Sequence, residues 1–178
     1  RELNIIGHHP SEDYKVYSSY TTLEEWRIFI KGPKGTAFAN KWLSCFMSIP
    51  PNFPTAPPSF RFITIPFHPN VSQEGTIVFS LVDKKYTPNT GIDTIIEGIV
   101  KLLKTPEANT SINSEANELY NTDRDEFNDR QNEDDIGKDD YKDYLKGVDV
   151  YDKIPEGEDV EEDERMNQIY VTNVYGKT

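Results

Sequence analysis

Four stretches in the first part of the chain alternate apolar and polar residues, which is the pattern of a strand with one buried face. They are residues 14–17, 25–30, 42–49 and 59–65. In the third stretch Cys45 lies on the same face as three large apolar side chains, which predicts a small buried hydrophobe and argues against a catalytic thiol. Short connections join the stretches, so the pattern predicts an antiparallel meander of three or four strands.

The connection over residues 50–58 contains five prolines. Proline donates no backbone hydrogen bond, so this segment cannot lie inside a sheet. We predict a rigid crossover between two strands. The alternative is a proline-rich ligand for an SH3-like groove.

Beyond the strands the apolar period changes to that of a helix. Residues 92–104 form one apolar face, and Asn113 or Ser114 is predicted to cap the start of a second helix. Residues 1–7 are typical of the last turns of an amphipathic helix, whose beginning we expect to precede Arg1. Helices grouped after an antiparallel sheet predict the α+β class. The helical stripes consist of Ile92, Ile95, Ile96, Ile99, Leu102 and Leu103, then of Ala116, Leu119, Tyr120 and Phe127.

Charge divides the chain into two parts. The net charge is −12, yet residues 1–120 hold 11 basic and 12 acidic side chains, whereas residues 121–165 hold 7 and 19. A nearly neutral domain therefore precedes an acidic extension, and we place the boundary between residues 132 and 133. The chain shows no basic face for nucleic acid and no apolar run of about 18 residues, so neither nucleic-acid binding nor a membrane span is predicted.

Metal and cofactor sites are not predicted either. The His8-His9 pair favours a loop over a metal site because adjacent side chains point apart and no third ligand is close. Cys45 is the only cysteine, which excludes an intrachain disulfide and fits a reducing compartment. We therefore favour the cytosol or nucleus, with an organelle left open because residues are expected before Arg1.

His68-Pro69-Asn70 ends the fourth stretch and leads into a glycine-bearing loop over residues 71–77. Pro69 fixes its own φ and keeps His68 out of the helical region. The Asn70 amide either folds onto nearby backbone or points outward as a donor. Such a loop closes a fold or holds a polar group at a site.

These motifs, taken together, resemble the ubiquitin-conjugating enzymes. The matching segments keep the order and spacing of that family over residues 1–132. The resemblance implies an amino-terminal helix, a four-stranded antiparallel sheet and carboxy-terminal helices, in agreement with the pattern. The segments include Gly32-Pro33, Ile49 to Pro58, His68-Pro69-Asn70, Gly75-Thr76-Ile77, Tyr86-Thr87-Pro88 and Asn113 with Ala116.

The resemblance also implies a nucleophilic cysteine eight residues after Asn70, but that position is Val78. Valine offers no thiolate for thioester transfer, and no base is evident to activate Ser80 nearby. Asn109 aligns where the family often has an acidic residue across the cleft. We therefore expect a degenerate site, in which Asn70 has the structural role of tying the 70–78 loop to the backbone.

The leading hypothesis is a catalytically inactive conjugating-enzyme-like protein that acts as an interaction or scaffold module, as a subunit of a larger assembly. One alternative is a ubiquitin-pathway cofactor that pairs with an active conjugating enzyme or binds ubiquitin. A second is an active enzyme whose cysteine was changed to valine. Thr55 and Pro88 are candidate partner contacts. Thr55 lies where many family members place an aromatic residue that docks RING-type ligases, so the change to threonine argues against that particular contact.

The acidic extension over residues 133–178 interleaves tyrosines with acidic residues and ends in a stretch of β-type composition. A solvated tail is the plain interpretation. The alternative is that its aromatic side chains are anchors on the domain's own surface or on partner subunits. These candidate anchors are Tyr141, Tyr144, Tyr151, Tyr170 and Tyr175.

Overall fold

The computed structural model describes residues 11–18 and 25–131. In these ranges the chain forms an antiparallel sheet of four strands in the order β1-β2-β3-β4, followed by three α-helices. The strands are β1 (Tyr14–Ser18), β2 (Glu25–Lys31), β3 (Trp42–Ser48) and β4 (Ser59–Phe62), and the helices are α1 (Ile92–Lys104), α2 (Ser114–Thr122) and α3 (Arg124–Arg130). The predicted α+β class and the meander are confirmed. The predicted amino-terminal helix lies outside the described residues.

The sheet buries one face against α1. Register pairs Ile28 with Cys45 and Cys45 with Phe62, so the apolar positions of three strands line up across the sheet. The six predicted apolar positions of α1 are all buried and belong to the same cluster as this face. This burial stabilises the packing of the helix on the sheet because apolar surface of both elements is removed from water. On the other face Phe29 is buried too, with the Arg27 guanidinium 5.7 Å from its ring centroid.

The fourth strand is shorter than its alternation predicts. β4 ends at Phe62, and both Ile63 and Ile65 are exposed. Ile63 N still donates to Ser44 O at 2.9 Å, but Ser44 N donates to the Thr64 hydroxyl at 2.8 Å, so a side chain replaces one of the two backbone bonds expected here. The strand prediction was therefore wrong beyond residue 62.

The second predicted helix is divided in two. Asn113 caps α2 by accepting from the Ala116 amide, as predicted. Asp123 has non-helical φ and ψ, and its carboxylate accepts from the Glu126 amide, so it ends α2 and caps α3. The division brings the Phe127 ring to 5.7 Å from the Phe67 ring, next to the His68 loop.

No helix among the described residues is long and apolar enough to span a membrane.

Candidate functional site

The loop after His68 is attached to the edge of the sheet. Phe62 N donates to Gly75 O at 2.8 Å, and Ile77 N donates to Phe60 O at 3.2 Å. Gly75 has φ +92, and a Cβ there would collide with the Phe62 carbonyl. Glycine at this position therefore allows both the turn and the close approach of the loop to β4.

His68 fastens the start of the loop to α1. Its ring is buried, and Nε2 lies 2.8 Å from Leu102 O. Nδ1 accepts a hydrogen bond from the backbone N–H of Asn70 at 3.0 Å. Burial lowers the pKa of His68 to about 4, although the Leu102 carbonyl opposes that shift. The ring is thus neutral at physiological pH, with Nε2–H as donor and Nδ1 as acceptor.

Asn70 joins this loop to residues 107–110. Its Oδ1 accepts from Glu107 N at 2.9 Å, and Nδ2 donates to Glu107 O at 2.9 Å and to Thr110 Oγ1 at 3.0 Å. The side chain is fully buried. Both amide hydrogens are therefore used, and neither points toward Val78 as a free donor.

Pro69 continues the same link through its carbonyl. Pro69 O accepts from Ile112 N at 2.9 Å and from Asn113 N at 3.0 Å. The His68-Pro69-Asn70 triplet therefore joins α1, the 107–110 segment and the start of α2. Each of its three residues contributes a different contact.

Val78 lies at the end of the loop and is half-buried. Its amide donates to Asn70 O at 2.9 Å, so the backbone closes the loop at the position where the resemblance implies a nucleophile. The only cysteine, Cys45, is fully buried in β3, and burial raises the pKa of its thiol to about 12. A buried, protonated thiol cannot replace a nucleophile at residue 78.

A polar cluster beside Val78 was not predicted from the sequence. The Glu107 carboxylate accepts from Ser80 Oγ at 2.7 Å, from Ser80 N at 2.9 Å and from Thr110 Oγ1 at 3.1 Å. Burial alone would raise the pKa of Glu107, but these hydrogen bonds and the charge of Lys85 hold it below its ordinary value. The sequence interpretation found no partner for Ser80 because Glu107 lies 27 positions away, and no motif connects the two.

Asn109 is exposed in a 3₁₀ turn over Ala108–Thr110. The adjacent residue, Thr110, is the one whose side chain contacts Asn70. The assignment of Asn109 to the position across the cleft stays a prediction.

Thr55 and Pro88 are both exposed and lie on two loops that meet. The Tyr86 hydroxyl donates to Pro54 O at 2.7 Å and also lies 3.3 Å from Ala56 O. This contact places the loop of Thr55 beside the loop of Pro88. The two candidates therefore belong to neighbouring parts of one surface.

The other residues discussed from the sequence lie outside the described residues. These are the five tyrosines of the extension, Tyr141, Tyr144, Tyr151, Tyr170 and Tyr175, and the pair His8-His9. Among the described residues no group of three potential ligands is placed to hold a metal ion.

A cavity of about 500 Å³ opens next to the polar cluster, between the 3₁₀ turn Ser80–Val82 and α1. Its apolar lining includes Phe79, Leu81 and Leu102. Its lining also includes Ser80 and Glu107, so the cavity borders the polar cluster beside Val78.

Comparisons with known proteins agree with this architecture. A family model described as "Ubiquitin-conjugating enzyme" matches residues 1–134. The chain is 28% identical over 120 residues to the probable ubiquitin-conjugating enzyme E2 31 of Arabidopsis thaliana, a match covering 67% of this chain and 78% of the relative. It is 30% identical over 121 residues to ubiquitin-conjugating enzyme E2 pex4 of Dictyostelium discoideum, covering 67% and 81%. For ubiquitin-conjugating enzyme E2 S of Nematostella vectensis the identity is 31% over 119 residues, covering 67% and 58%.

Proposed function

Because the chain belongs to the ubiquitin-conjugating enzyme family, we propose that it is a non-catalytic member that acts as a protein-interaction or scaffold module. The observation that carries the proposal is Val78. Thioester transfer requires a thiolate that both attacks and leaves, and an aliphatic side chain does neither.

The neighbouring groups support an inactive site. The Asn70 amide is occupied by Glu107 and Thr110, so it is built into the fold. Ser80 does have a carboxylate partner, but the lowered pKa of Glu107 makes that carboxylate a weak base. A serine hydroxyl bound to a weak base is a poor substitute for a thiolate.

The test is a charging assay with ubiquitin-activating enzyme, ubiquitin and ATP. We expect no adduct on the unaltered chain under non-reducing conditions, and an active relative serves as the positive control. An adduct that is cleaved by thiol and lost in Cys45→Ser would assign thioester formation to Cys45, the only cysteine of the chain, and would overturn the proposal. An adduct that resists thiol, yields to hydroxide and disappears in Ser80→Ala would instead assign acyl transfer to Ser80, and so would also overturn it.

The finer question is whether the module serves the ubiquitin pathway or an assembly without ubiquitin. Relatives are named for ubiquitin conjugation, which favours a partner from that pathway. Addition of unlabelled ubiquitin to the ¹⁵N-labelled chain, and separately of an active conjugating enzyme, distinguishes the cases. Shifts localised to one surface support the pathway role, and unchanged spectra support the assembly role.

The surface of Thr55 and Pro88 provides a sharper form of this test. Both side chains are exposed on loops joined by Tyr86, so charge can be introduced there without disturbing the core. Thr55→Asp should weaken binding of any partner that uses this surface, whereas Lys34→Asp, in the turn between β2 and β3, serves as an exposed control. A partner unaffected by Thr55→Asp uses another face.

A further inference from the structure

We propose that the cavity between the Ser80–Val82 turn and α1 binds the chain's own acidic segment, residues 133–144. The inference does not depend on whether the domain is catalytic. It rests on the charge of the cavity rim, the apolar character of its floor and the point where the described chain ends.

The rim of the cavity is basic. Lys85, Lys101 and Lys104 line it, and all three side chains are exposed. The carboxylate at the edge, Glu107, is engaged by Ser80 and Thr110. Three lysine side chains surround this one hydrogen-bonded carboxylate, so the rim carries a net positive charge that attracts an acidic ligand.

The acidic residues of α1 do not cancel this charge. Asp93 and Glu97 lie near Tyr14 of β1, where they add to the effect of burial, the largest cause, in raising the pKa of that hydroxyl to about 12. Neither of them lines the cavity. The lysines in the last turn of α1 therefore line the cavity, whereas its acidic side chains lie near β1.

The floor of the cavity is apolar and matches an aromatic ligand. Phe79 and Leu102 are almost fully buried, whereas Leu81 is half-buried at the cavity wall. Residues 133–144 combine six acidic side chains and two lysines with Tyr141 and Tyr144. A tyrosine ring suits such a floor because it buries apolar area while its hydroxyl stays in contact with water.

The end of the described chain is connected to this cavity through the start of the His68 loop. Gln131 accepts from Phe67 N at 3.0 Å and also donates to Phe67 O. The next residue, His68, lies 2.8 Å from the carbonyl of Leu102, which lines the cavity. Tyr141 follows Gln131 by ten positions, and an extended chain of that length spans up to about 33 Å. The segment therefore has ample reach.

Carbodiimide cross-linking of the full chain tests the proposal, because the reagent joins lysine amines to carboxylates only where the two touch. We expect links from Lys85, Lys101 and Lys104 to residues 133–144, with a yield about fivefold above that of exposed Lys34. An equal mixture of ¹⁴N- and ¹⁵N-labelled protein identifies the occupant by mass. Links between unlike chains would show a second copy in the cavity and overturn the proposal.

Two variants distinguish binding in the cavity from non-specific electrostatic attraction between lysines and the acidic segment. In Lys101→Glu/Lys104→Glu the yield at Lys85 should fall about tenfold, because attraction becomes repulsion at two positions. In Tyr141→Ser/Tyr144→Ser it should fall as well, whereas the matched change Tyr170→Ser/Tyr175→Ser should leave it unchanged. Circular dichroism verifies that each variant is folded. Equal yields at Lys34 and at the rim, or no change in the first two variants, would refute the proposal.

Discussion

At the scale of single residues, the site is a set of polar groups that satisfy one another. Asn70 is buried and uses all of its amide hydrogens within the fold. A buried polar group is stable only when it is paired, so these contacts stabilise the loop. The same residue that marks the family motif thus connects two segments of chain.

His68 makes the pH dependence of this loop predictable. In the folded protein the pKa of His68 is about 4, below the ordinary histidine value of 6.5, so the folded state favours the neutral ring. The stability that neutral His68 contributes is fully present above pH 6.5 and is lost as the pH falls from 6.5 toward 4. The loss approaches about 1.4 kcal/mol per pH unit in this window.

An NMR titration of the ring proton of His68 measures this directly. We expect no titration between pH 8 and 5.5, whereas the same titration of a histidine-containing peptide should show a midpoint near its ordinary value of about 6.5. Urea unfolding at several pH values provides the second measurement, with His68→Gln losing the corresponding slope. A midpoint near 6.5 in the folded protein would contradict the buried, neutral assignment.

At the scale of elements, the glycine loop and β4 depend on each other. Gly75 combines a positive φ with a close approach to the Phe62 carbonyl, whereas Gly35 has φ +79 and nothing within 4 Å of an added Cβ. The two glycines therefore separate the cost of the backbone conformation from the cost of the collision.

We predict that Gly35→Ala destabilises the fold by about 1 kcal/mol, the cost of a left-handed residue with a side chain. Gly75→Ala should cost about 3 kcal/mol or more, because the loop must also leave the edge of β4. Urea denaturation of both variants supplies the comparison. Equal losses would mean that the approach to Phe62 does not matter.

The elements also show how far the sequence predicts this structure. Periodicity located α1 with its six buried positions, because a strong apolar stripe depends on local spacing alone. It missed the end of β4, because the decisive partner, Ser44, is distant in sequence. It also missed the break at Asp123, whose cap requires one residue to leave helical geometry.

The candidate site likewise contains residues that sequence motifs located and contacts that only the fold creates. Motif spacing located His68, Asn70 and Val78, which lie on one continuous loop. It could not find the bond between Ser80 and Glu107, because the fold alone brings these residues together. Nor could it find the contact between Asn70 and Thr110, which are 40 positions apart.

At the scale of the whole molecule, Cys45 reports on global stability. Its side chain is fully buried between β2 and β4, and burial raises the pKa of the thiol to about 12. It is also the only thiol in the chain, so any labelling signal is unambiguous. Reagent reaches it only when the sheet opens.

We predict that Cys45 reacts with a thiol reagent in native buffer at a rate set by global unfolding, far below its rate in denaturant. Ile99→Ala, which creates a cavity in α1 against the sheet, should speed labelling because it costs about 2–5 kcal/mol. Lys34→Ala, at an exposed turn, is the control and should leave the rate unchanged. Rapid labelling of the unaltered protein would show that the sheet opens locally at β3.

The contact between Gln131 and Phe67 has a mechanical consequence. The Gln131 side chain holds both the amide and the carbonyl of Phe67, and Phe67 directly precedes His68. Tension applied to the chain beyond residue 131 therefore acts on these two hydrogen bonds, together with the bond from Gln131 N to Asn128 O at the end of α3. A partner that pulls on the extension would load the contacts at the start of the His68 loop.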